Sequence, residues 1–131
     1  MIDNILKLLT PKNSIIFVTS NMTIRQGIEK FRAHGYTALP VLNEDGTYFG
    51  VLTEGDFLWN IIDNNYTDVK ELEDTTVDKI IRKKVPSCSV SVSYDELKEI
   101  ITNNNFVPIV DDRNIFMGII TRKSVINFLK S

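Results

Sequence analysis

A duplication dominates the sequence. Pro40-Val41-Leu42-Asn43-Glu44-Asp45-Gly46-Thr47-Tyr48-Phe49-Gly50-Val51-Leu52-Thr53 aligns without a gap on Pro108-Ile109-Val110-Asp111-Asp112-Arg113-Asn114-Ile115-Phe116-Met117-Gly118-Ile119-Ile120-Thr121. Proline, glycine and threonine coincide, and most other positions exchange like for like, as Val41 with Ile109 and Tyr48 with Phe116. Chance rarely keeps such a register. The chain is therefore read as two copies of one supersecondary unit that bury their apolar faces together.

Each copy has apolar runs on both sides of a turn, which predicts a strand hairpin. Asp45-Gly46 is a favoured two-residue turn because both residues tolerate positive φ, and Arg113-Asn114 is a weaker version. Ile24, Ile28 and Phe31 fall at i, i+4 and i+7 and predict a helix before the first hairpin. Leu97, Ile100 and Ile101 do the same before the second, where Ser93 and Glu96 make a capping box. Phe57, Leu58, Ile61 and Ile62, matched by Val125, Ile126 and Leu129, predict a helix after each hairpin. Leading strands are expected at Ser14 to Val18 and Val85 to Val92, preceded by short helices at Ile2 to Leu9 and Val77 to Arg82.

Both halves thus read strand, helix, strand, strand, helix, a β-α-β-β-α order that makes this an α/β protein. The first repeat is placed at residues 10–63, a connector at 64–75 and the second repeat at 76–131. Asp63 to Thr75 is polar and net acidic, and is read as a solvated connector. It is not taken as a domain boundary, since neither half has enough apolar surface to stand comfortably alone. The repeats are expected to pack face to face about a pseudo-twofold axis.

With 131 residues, 43% of them hydrophobic, the chain can bury a core without disulfide or metal staples. Its 15 basic and 17 acidic residues leave a net charge of -2, which gives no chain-wide attraction for nucleic-acid phosphates. Any anion binding must be local. The single cysteine, Cys88, cannot form an internal disulfide, and the N-terminus lacks a signal-peptide layout, so a cytoplasmic location is expected. Cys88 lies in a strand-like run and is read as a small buried residue, not a reactive thiol. No apolar stretch approaches the roughly 20 residues that cross a bilayer, so a soluble protein is expected.

Gly35-Tyr36-Thr37-Ala38-Leu39-Pro40-Val41-Leu42, followed by Gly50-Val51-Leu52-Thr53-Glu54-Gly55-Asp56, strongly resembles the motif of the CBS domain. Asn105-Phe106-Val107-Pro108-Ile109-Val110 with Gly118-Ile119-Ile120-Thr121-Arg122-Lys123-Ser124 looks like a divergent second copy. Together they resemble a tandem CBS pair, a Bateman module. The resemblance implies clefts that bind adenosine-containing ligands: AMP, ADP, ATP, S-adenosylmethionine or cyclic di-AMP. Small free-standing bacterial pairs with a Gly-Tyr-Thr-Ala segment and a Thr-Arg-basic segment are similar to cyclic di-AMP receptors.

An adenosine site needs a slot for the flat base, backbone groups at its edge and a polar anchor for ribose and phosphate. Ala38 beside Pro40 makes a strand start of small residues where a base can lie near the backbone, and the Tyr36 ring could stack or close the slot. By the family pattern Ile15 and Ile16 complete the wall, with Phe106, Val107 and Pro108 standing at the matching place in the second copy. Thr53 and Asp56 match the family's Thr-x-x-Asp, in which the carboxylate grips ribose hydroxyls. The same spacing is nearly a capping box, which stabilises a helix with no ligand at all.

Ser124 stands where the second copy would have that aspartate. What it offers instead is Arg122 and Lys123 beside a helix N-terminus, where backbone N–H groups and the helix dipole favour an anion and arginine can grip phosphate bidentately. The plainer alternative makes both ordinary solvated charges. Family clefts can draw on both repeats, so the expected cleft joins Ile16, Tyr36, Thr37, Ala38 and Pro40 to Thr121, Arg122 and Lys123.

His34, the sole histidine, stands beside Gly35 at a helix end and is read as a C-terminal charge or cap, with no zinc set around it. No base aligns with a nucleophile, so no catalytic residue and no metal or cofactor is expected. Trp59 is assigned to core or dimer surface. The resemblance further implies a homodimer formed head to head or head to tail through exposed helices, and an unspecified regulated partner. Two rival readings stand beside the nucleotide sensor: a structural or protein-interaction module with empty clefts, and a regulatory piece of a transporter or enzyme.

Overall fold

The computed structural model describes residues 5–64, 69–82 and 84–130, and for Val69 the backbone only. In chain order its elements are β1 (Thr10–Pro11), β2 (Val18–Thr19), α1 (Ile24–His34), β3 (Ala38–Leu42), β4 (Tyr48–Thr53), α2 (Glu54–Asn64), α3 (Val69–Asp74), β5 (Cys88–Ser89), α4 (Tyr94–Asn103), β6 (Phe106–Val110), β7 (Phe116–Thr121) and α5 (Arg122–Lys130). Short 3-10 turns occupy Ile5–Leu8, Lys12–Ser14 and Val77–Lys79. The mixed α/β composition and the repeated hairpin-plus-helices order are those the sequence predicts.

The chain forms two compact units. One is Ile16–Lys84, and the other joins the segment up to Ile15 to the residues from Val85 onward. The units cut the chain at different places from the sequence repeat because Thr10 and Pro11 pair antiparallel with Ile119 and Gly118, tying the leading segment to the second copy's hairpin.

In the unit Ile16–Lys84 the sheet order is β2-β3-β4. Val18 and Thr19 pair parallel with Val41 and Leu42, and β3 pairs antiparallel with β4 from Ala38↔Thr53 to Leu42↔Tyr48, with a bulge between Val41 and Leu42. Helix α1 begins at a full capping box: Gln26 N–H donates to Thr23 Oγ1, and Thr23 N–H donates to Gln26 Oε1. It ends at Gly35, whose φ of 68° is left-handed and whose N–H closes on Phe31 O. Ile24, Gly27 and Phe31 are its buried residues. The core also takes in Val18, Leu39, Val41, Leu52, Phe57, Val77 and Ile80. Gly27 belongs here for lack of a side chain: a Cβ would stand 3.1 Å from Val77 and 3.2 Å from Phe57. Phe31 and Phe57 meet edge to face at 5.3 Å, a geometry that aromatic rings favour.

The other unit repeats the hairpin position for position. Its sheet runs β1-β7-β6-β5. Cys88 and Ser89 pair parallel with Ile109 and Val110, and β6 pairs with β7 from Phe106↔Thr121 to Val110↔Phe116, again with a bulge before the last pair. Its core is Ile5, Leu8, Cys88, Leu97, Ile101, Val107, Ile109, Ile120 and Val125. Cys88 is buried as expected, and burial, with the Glu96 carboxylate adding to it, raises its thiol pKa.

Several boundaries differ from those expected. Only Val18–Thr19 and Cys88–Ser89 are strand where Ser14 to Val18 and Val85 to Val92 were expected, and Lys12–Ser14 is a 3-10 turn, because each leading strand sits at a sheet edge and pairs on one side over two residues. The expected helix at Ile2 to Leu9 is described only from Ile5, where Ile5–Leu8 is a 3-10 turn, and Val77 to Arg82 contributes only Val77–Lys79. The acidic connector carries a helix, α3, whose Leu72 packs on the core and whose Glu73 pairs with Arg25. Its other residues 65–68 lie outside the described residues.

The turns also differ. Gly46 has a φ of 89° and Asn114 of 64°, and Asn114 is the one non-glycine with positive φ among the described residues. Asn43 N–H donates to Thr47 O and Gly46 N–H to Asn43 O, so the loop holds three residues with one left-handed position, not a two-residue turn with two. Asp45 then accepts from the Thr47 N–H and hydroxyl, which hold its carboxyl below its usual value. Ser93 accepts from Glu96 N–H, the half of the expected capping box that is formed.

Gly50 and Gly118 occupy equivalent hairpin positions but answer to different constraints. At Gly118, φ is +153° and a Cβ would fall 2.2 Å from Thr10 O, whereas the nearest atom to a Cβ on Gly50 is Ile81 at 3.7 Å. Gly118→Ala is expected to destabilise the protein by about 2 kcal/mol or more through backbone strain and loss of the β1 pairing, while Gly50→Ala stays within about 1 kcal/mol. Chemical denaturation of the two variants side by side measures the difference.

Candidate functional site

Every candidate residue except Ile15 and Ile16 sits at or beside a strand-to-helix junction, and the two junctions are built alike. Pairing of Ala38 with Thr53, and of Phe106 with Thr121, sets the start of the middle strand beside the end of the last. The first N–H of each following helix then donates to the loop before the middle strand: Glu54 to Thr37 O at 3.2 Å and Arg122 to Asn105 O at 2.8 Å. The first junction brings Tyr36, Thr37, Ala38, Pro40, Thr53 and Asp56 together within one unit. The second does the same for Phe106, Val107, Pro108, Thr121, Arg122 and Lys123 in the other. Ile15 and Ile16 fall outside any strand, on either side of the division between the units.

At the first junction Tyr36 and Thr37 are exposed, Ala38 is half-buried and Pro40 is buried. His34, the last residue of α1, stacks on Tyr36 at 6.1 Å, steadying the ring on the loop surface. The Thr53–Asp56 pair forms a reciprocal cap: Thr53 N–H donates to Asp56 Oδ2 at 2.9 Å and Asp56 N–H to Thr53 Oγ1 at 3.3 Å. Asp56 is only 5% exposed, and its Oδ1 also accepts from Arg82 N–H. Both carboxylate oxygens are therefore engaged, yet each retains a second lone-pair direction for a further donor.

The second junction carries different chemistry. Ser124 N–H donates to Thr121 Oγ1 at 3.0 Å and the two hydroxyls lie 2.8 Å apart, so the cap survives without the carboxylate. Arg122 is neither a solvated charge nor simply an outward anchor: its Nε donates to Ile101 O at 2.9 Å and its Nη2 to Thr102 O at 3.3 Å. The reason lies in α4. It ends at Asn104 in extended conformation, with no left-handed residue to play the part that Gly35 plays for α1, so the terminal carbonyls take donors from Arg122.

Around this junction runs an open groove of about 500 Å³ lined by Asn105, Thr121, Arg122, Lys123, Ile126, Asn127 and Lys130. It holds three cationic side chains, two carboxamides and a hydroxyl, a donor set suited to phosphate oxygens. Sequence reasoning reached Thr121, Arg122 and Lys123 and missed Asn105, Asn127 and Lys130. The missing signal was helical spacing, since Arg122 with Lys130 and Lys123 with Asn127 recur at i+8 and i+4 along α5. The other unit has an apolar groove of about 530 Å³ between α1 and α2, lined by residues including Phe31, Tyr36, Phe57, Leu58 and Ile61.

Comparison with known proteins bears on this geometry. The model of the CBS domain matches residues 6–63 and again 77–131. The chain belongs to the CBS-domain family. Among the relatives of this CBS protein, the cyclic di-AMP receptor B of Bacillus subtilis is 26% identical over 95 residues, covering 72% of this chain and 65% of that one. Inosine-5'-monophosphate dehydrogenase of Methanocaldococcus jannaschii is 28% identical over 116 residues, 86% of this chain but 21% of the enzyme. The chain thus spans about a fifth of that relative. Among solved structures, CbpB in complex with c-di-AMP superposes with a TM-score of 0.89 at 20% identity, covering 98% of this chain and 85% of that one. CBSX2 in complex with AMP gives 0.74 at 20% identity over 97% and 96%. At such identity these structures speak for the shared tandem CBS fold.

Among the described residues, no group of His, Cys, Asp and Glu could hold a metal ion, and no helix is long and apolar enough to cross a membrane.

Replacing Asp56 removes half of a helix cap and leaves the N–H groups of Thr53 and Arg82 without their acceptor. Asp56→Ala is expected to cost about 2 kcal/mol, of which the cap supplies about 1 kcal/mol. Ser124→Ala, at the equivalent position, leaves the bond between the residue-124 N–H and Thr121 in place and should cost less than about 1 kcal/mol. Urea melts of both variants without nucleotide give the comparison.

Proposed function

We propose that this CBS protein is a non-catalytic cytoplasmic sensor of an adenine nucleotide, cyclic di-AMP foremost and AMP, ADP or ATP next, and that the bound ligand alters how it engages a regulated partner protein. The observation that carries the reading is the cationic groove at the start of α5, a local concentration of positive charge in a chain of net charge -2. The kinship with the cyclic di-AMP receptor B of Bacillus subtilis supports the choice of ligand.

In this reading Arg122, Lys123 and Lys130 hold phosphate, with Asn105, Asn127 and the Thr121 hydroxyl as neutral donors. Asp56 and Thr53 receive ribose hydroxyls, while Ile15, Ile16, Tyr36, Thr37, Ala38, Pro40, Phe106, Val107 and Pro108 belong to the walls that take the bases. Phosphate capture by Arg122 draws on the guanidinium's other N–H groups or loosens its hold on the end of α4. The latter would couple the ligand to the order of that helix end, and the shift cannot exceed the ligand's differential affinity for the two states. The chain is further proposed to act as a homodimer.

A second reading, a ligand-free interaction module, draws on the hold of Arg122 on α4 and on Ser124 in place of an aspartate. Thermal shift with AMP, ADP, ATP, S-adenosylmethionine and cyclic di-AMP separates the two. A ligand that binds the folded state stabilises it by about 2.7 kcal/mol at a hundred times its Kd, so the melting temperature should climb with concentration of cyclic di-AMP. Arg122→Ala should abolish the climb. Flat melting curves with all five compounds would leave the interaction module as the better account.

A further inference from the structure

The stretch between the repeats changes the sign of its charge abruptly. Residues 63–78 hold six acids, Asp63, Asp68, Glu71, Glu73, Asp74 and Asp78, against the single base Lys70. Residues 79–94 hold four cations, Lys79, Arg82, Lys83 and Lys84, and no acid. None of these cations lines the groove at the start of α5.

The basic part is pinned within the unit Ile16–Lys84. Val77 and Ile80 are buried in its core, Ile81 lies over Gly50, and Arg82 N–H donates to Asp56 Oδ1 at 3.2 Å. Two of the cations rest on aromatic rings of other elements. The Arg82 guanidinium carbon stands 5.7 Å from the ring centroid of Trp59 on α2, and Lys84 Nζ stands 5.2 Å from that of Phe49 on β4. Both distances lie within the reach of cation–π attraction. These side chains are steadied without being neutralised. Among the described residues Lys84 has no ion pair, and the Arg82 guanidinium has only Asp63 at 3.9 Å, with both side chains more than half exposed. So open a pair contributes little.

We infer that Arg82, Lys84 and Trp59 form a docking surface for an acidic segment of another protein, which rests on the reading above only in taking that protein to be the regulated partner. A guanidinium presents its donors in a planar fork that grips a carboxylate through two parallel hydrogen bonds, and Asp63 marks where such a carboxylate can stand. Ring contact has already restricted both cations, so they have less side-chain freedom to lose on binding. Trp59, 48% exposed, adds apolar area beside the charge, and tryptophan and arginine are the residues that most often dominate protein interfaces. Nucleic acid is a poorer match. The unit counts eight Lys and Arg against eleven Asp and Glu, so a long polyanion that runs past the cations meets repulsion.

Fluorescence anisotropy on the full chain tests the surface. The probes are a short labelled peptide of Asp and Glu around a central Leu, its charge-reversed counterpart with Lys for every acid, and a thymidine oligonucleotide of equal length. The acidic peptide should bind at least about tenfold more tightly than the reversed one. Arg82→Glu and Lys84→Glu should each weaken it about tenfold, whereas Arg113→Glu, the same change of net charge at the exposed tip of the second hairpin, should change it by about twofold or less. Asp63→Asn removes the competing carboxylate and should tighten binding about threefold. The Lys84 variant leaves the contacts of Arg82 in place, so the comparison does not depend on Arg82→Glu folding.

Equal losses from Lys84→Glu and Arg113→Glu would mean attraction by overall charge alone and would overturn the docking surface. Tightest binding of the oligonucleotide, or no binding of the acidic peptide, overturns it as well. Peptide binding by a chain whose melting curves stay flat with every nucleotide upholds the surface and defeats only the sensor. A chain that a nucleotide stabilises but that ignores the acidic peptide defeats only the surface.

Discussion

The backbone ladder that closes each hairpin against its helix is the constraint on which the rest of the molecule depends. Ala38 faces Thr53 and Phe106 faces Thr121, and the first helical N–H in each unit bonds back to the carbonyl of Thr37 or Asn105. These bonds run between main-chain groups, so they hold whatever side chains stand at the junction. A fixed junction with free choice of side chains is what allows one architecture to host two chemistries in a single chain.

The two copies have used that freedom. Asp56 at the first junction gathers the Thr53 and Arg82 N–H groups, a buried carboxylate kept in place by several hydrogen bonds. Ser124 at the second does no more than cap. Glu54 and Arg122 are equivalent in the repeat, yet one is an exposed acid and the other reaches back to the carbonyls of Ile101 and Thr102. The need for that reach comes from the end of α4, where no glycine supplies the left-handed turn found at Gly35. A change at one helix end and a change at the next helix start thus answer each other.

Much of this was legible in the sequence. The matched hairpins, the four long helices beside them and the buried Cys88 followed from apolar spacing, and the CBS resemblance rested on the Gly35-to-Pro40 and Gly50-to-Asp56 segments. Thr121, Arg122 and Lys123 were legible as a cluster, whereas Asn105 and Lys130 were not, since one reaches the groove from the loop before a strand and the other from the far end of α5. The two-residue extent of β2 and β5 was hidden because strand length depends on how much of the neighbouring edge is available. Helix α3 was hidden because its acidic composition looks like a solvated linker, and its order comes from Leu72 on the core and the Glu73 pairing with Arg25.

By itself the sequence determined the repeat, the α/β order and the positions of the turns, because periodicity and turn residues act over a few neighbours and need no knowledge of distant chain. Tertiary structure alone decided which glycine is obligatory, since only the approach of Thr10 O to Gly118 separates it from Gly50. It alone turned Arg122 onto the end of α4 and enlisted the segment before Ile15 into the second copy's sheet. Such contacts join residues far apart along the chain, and no local pattern records which distant partner will come within bonding distance.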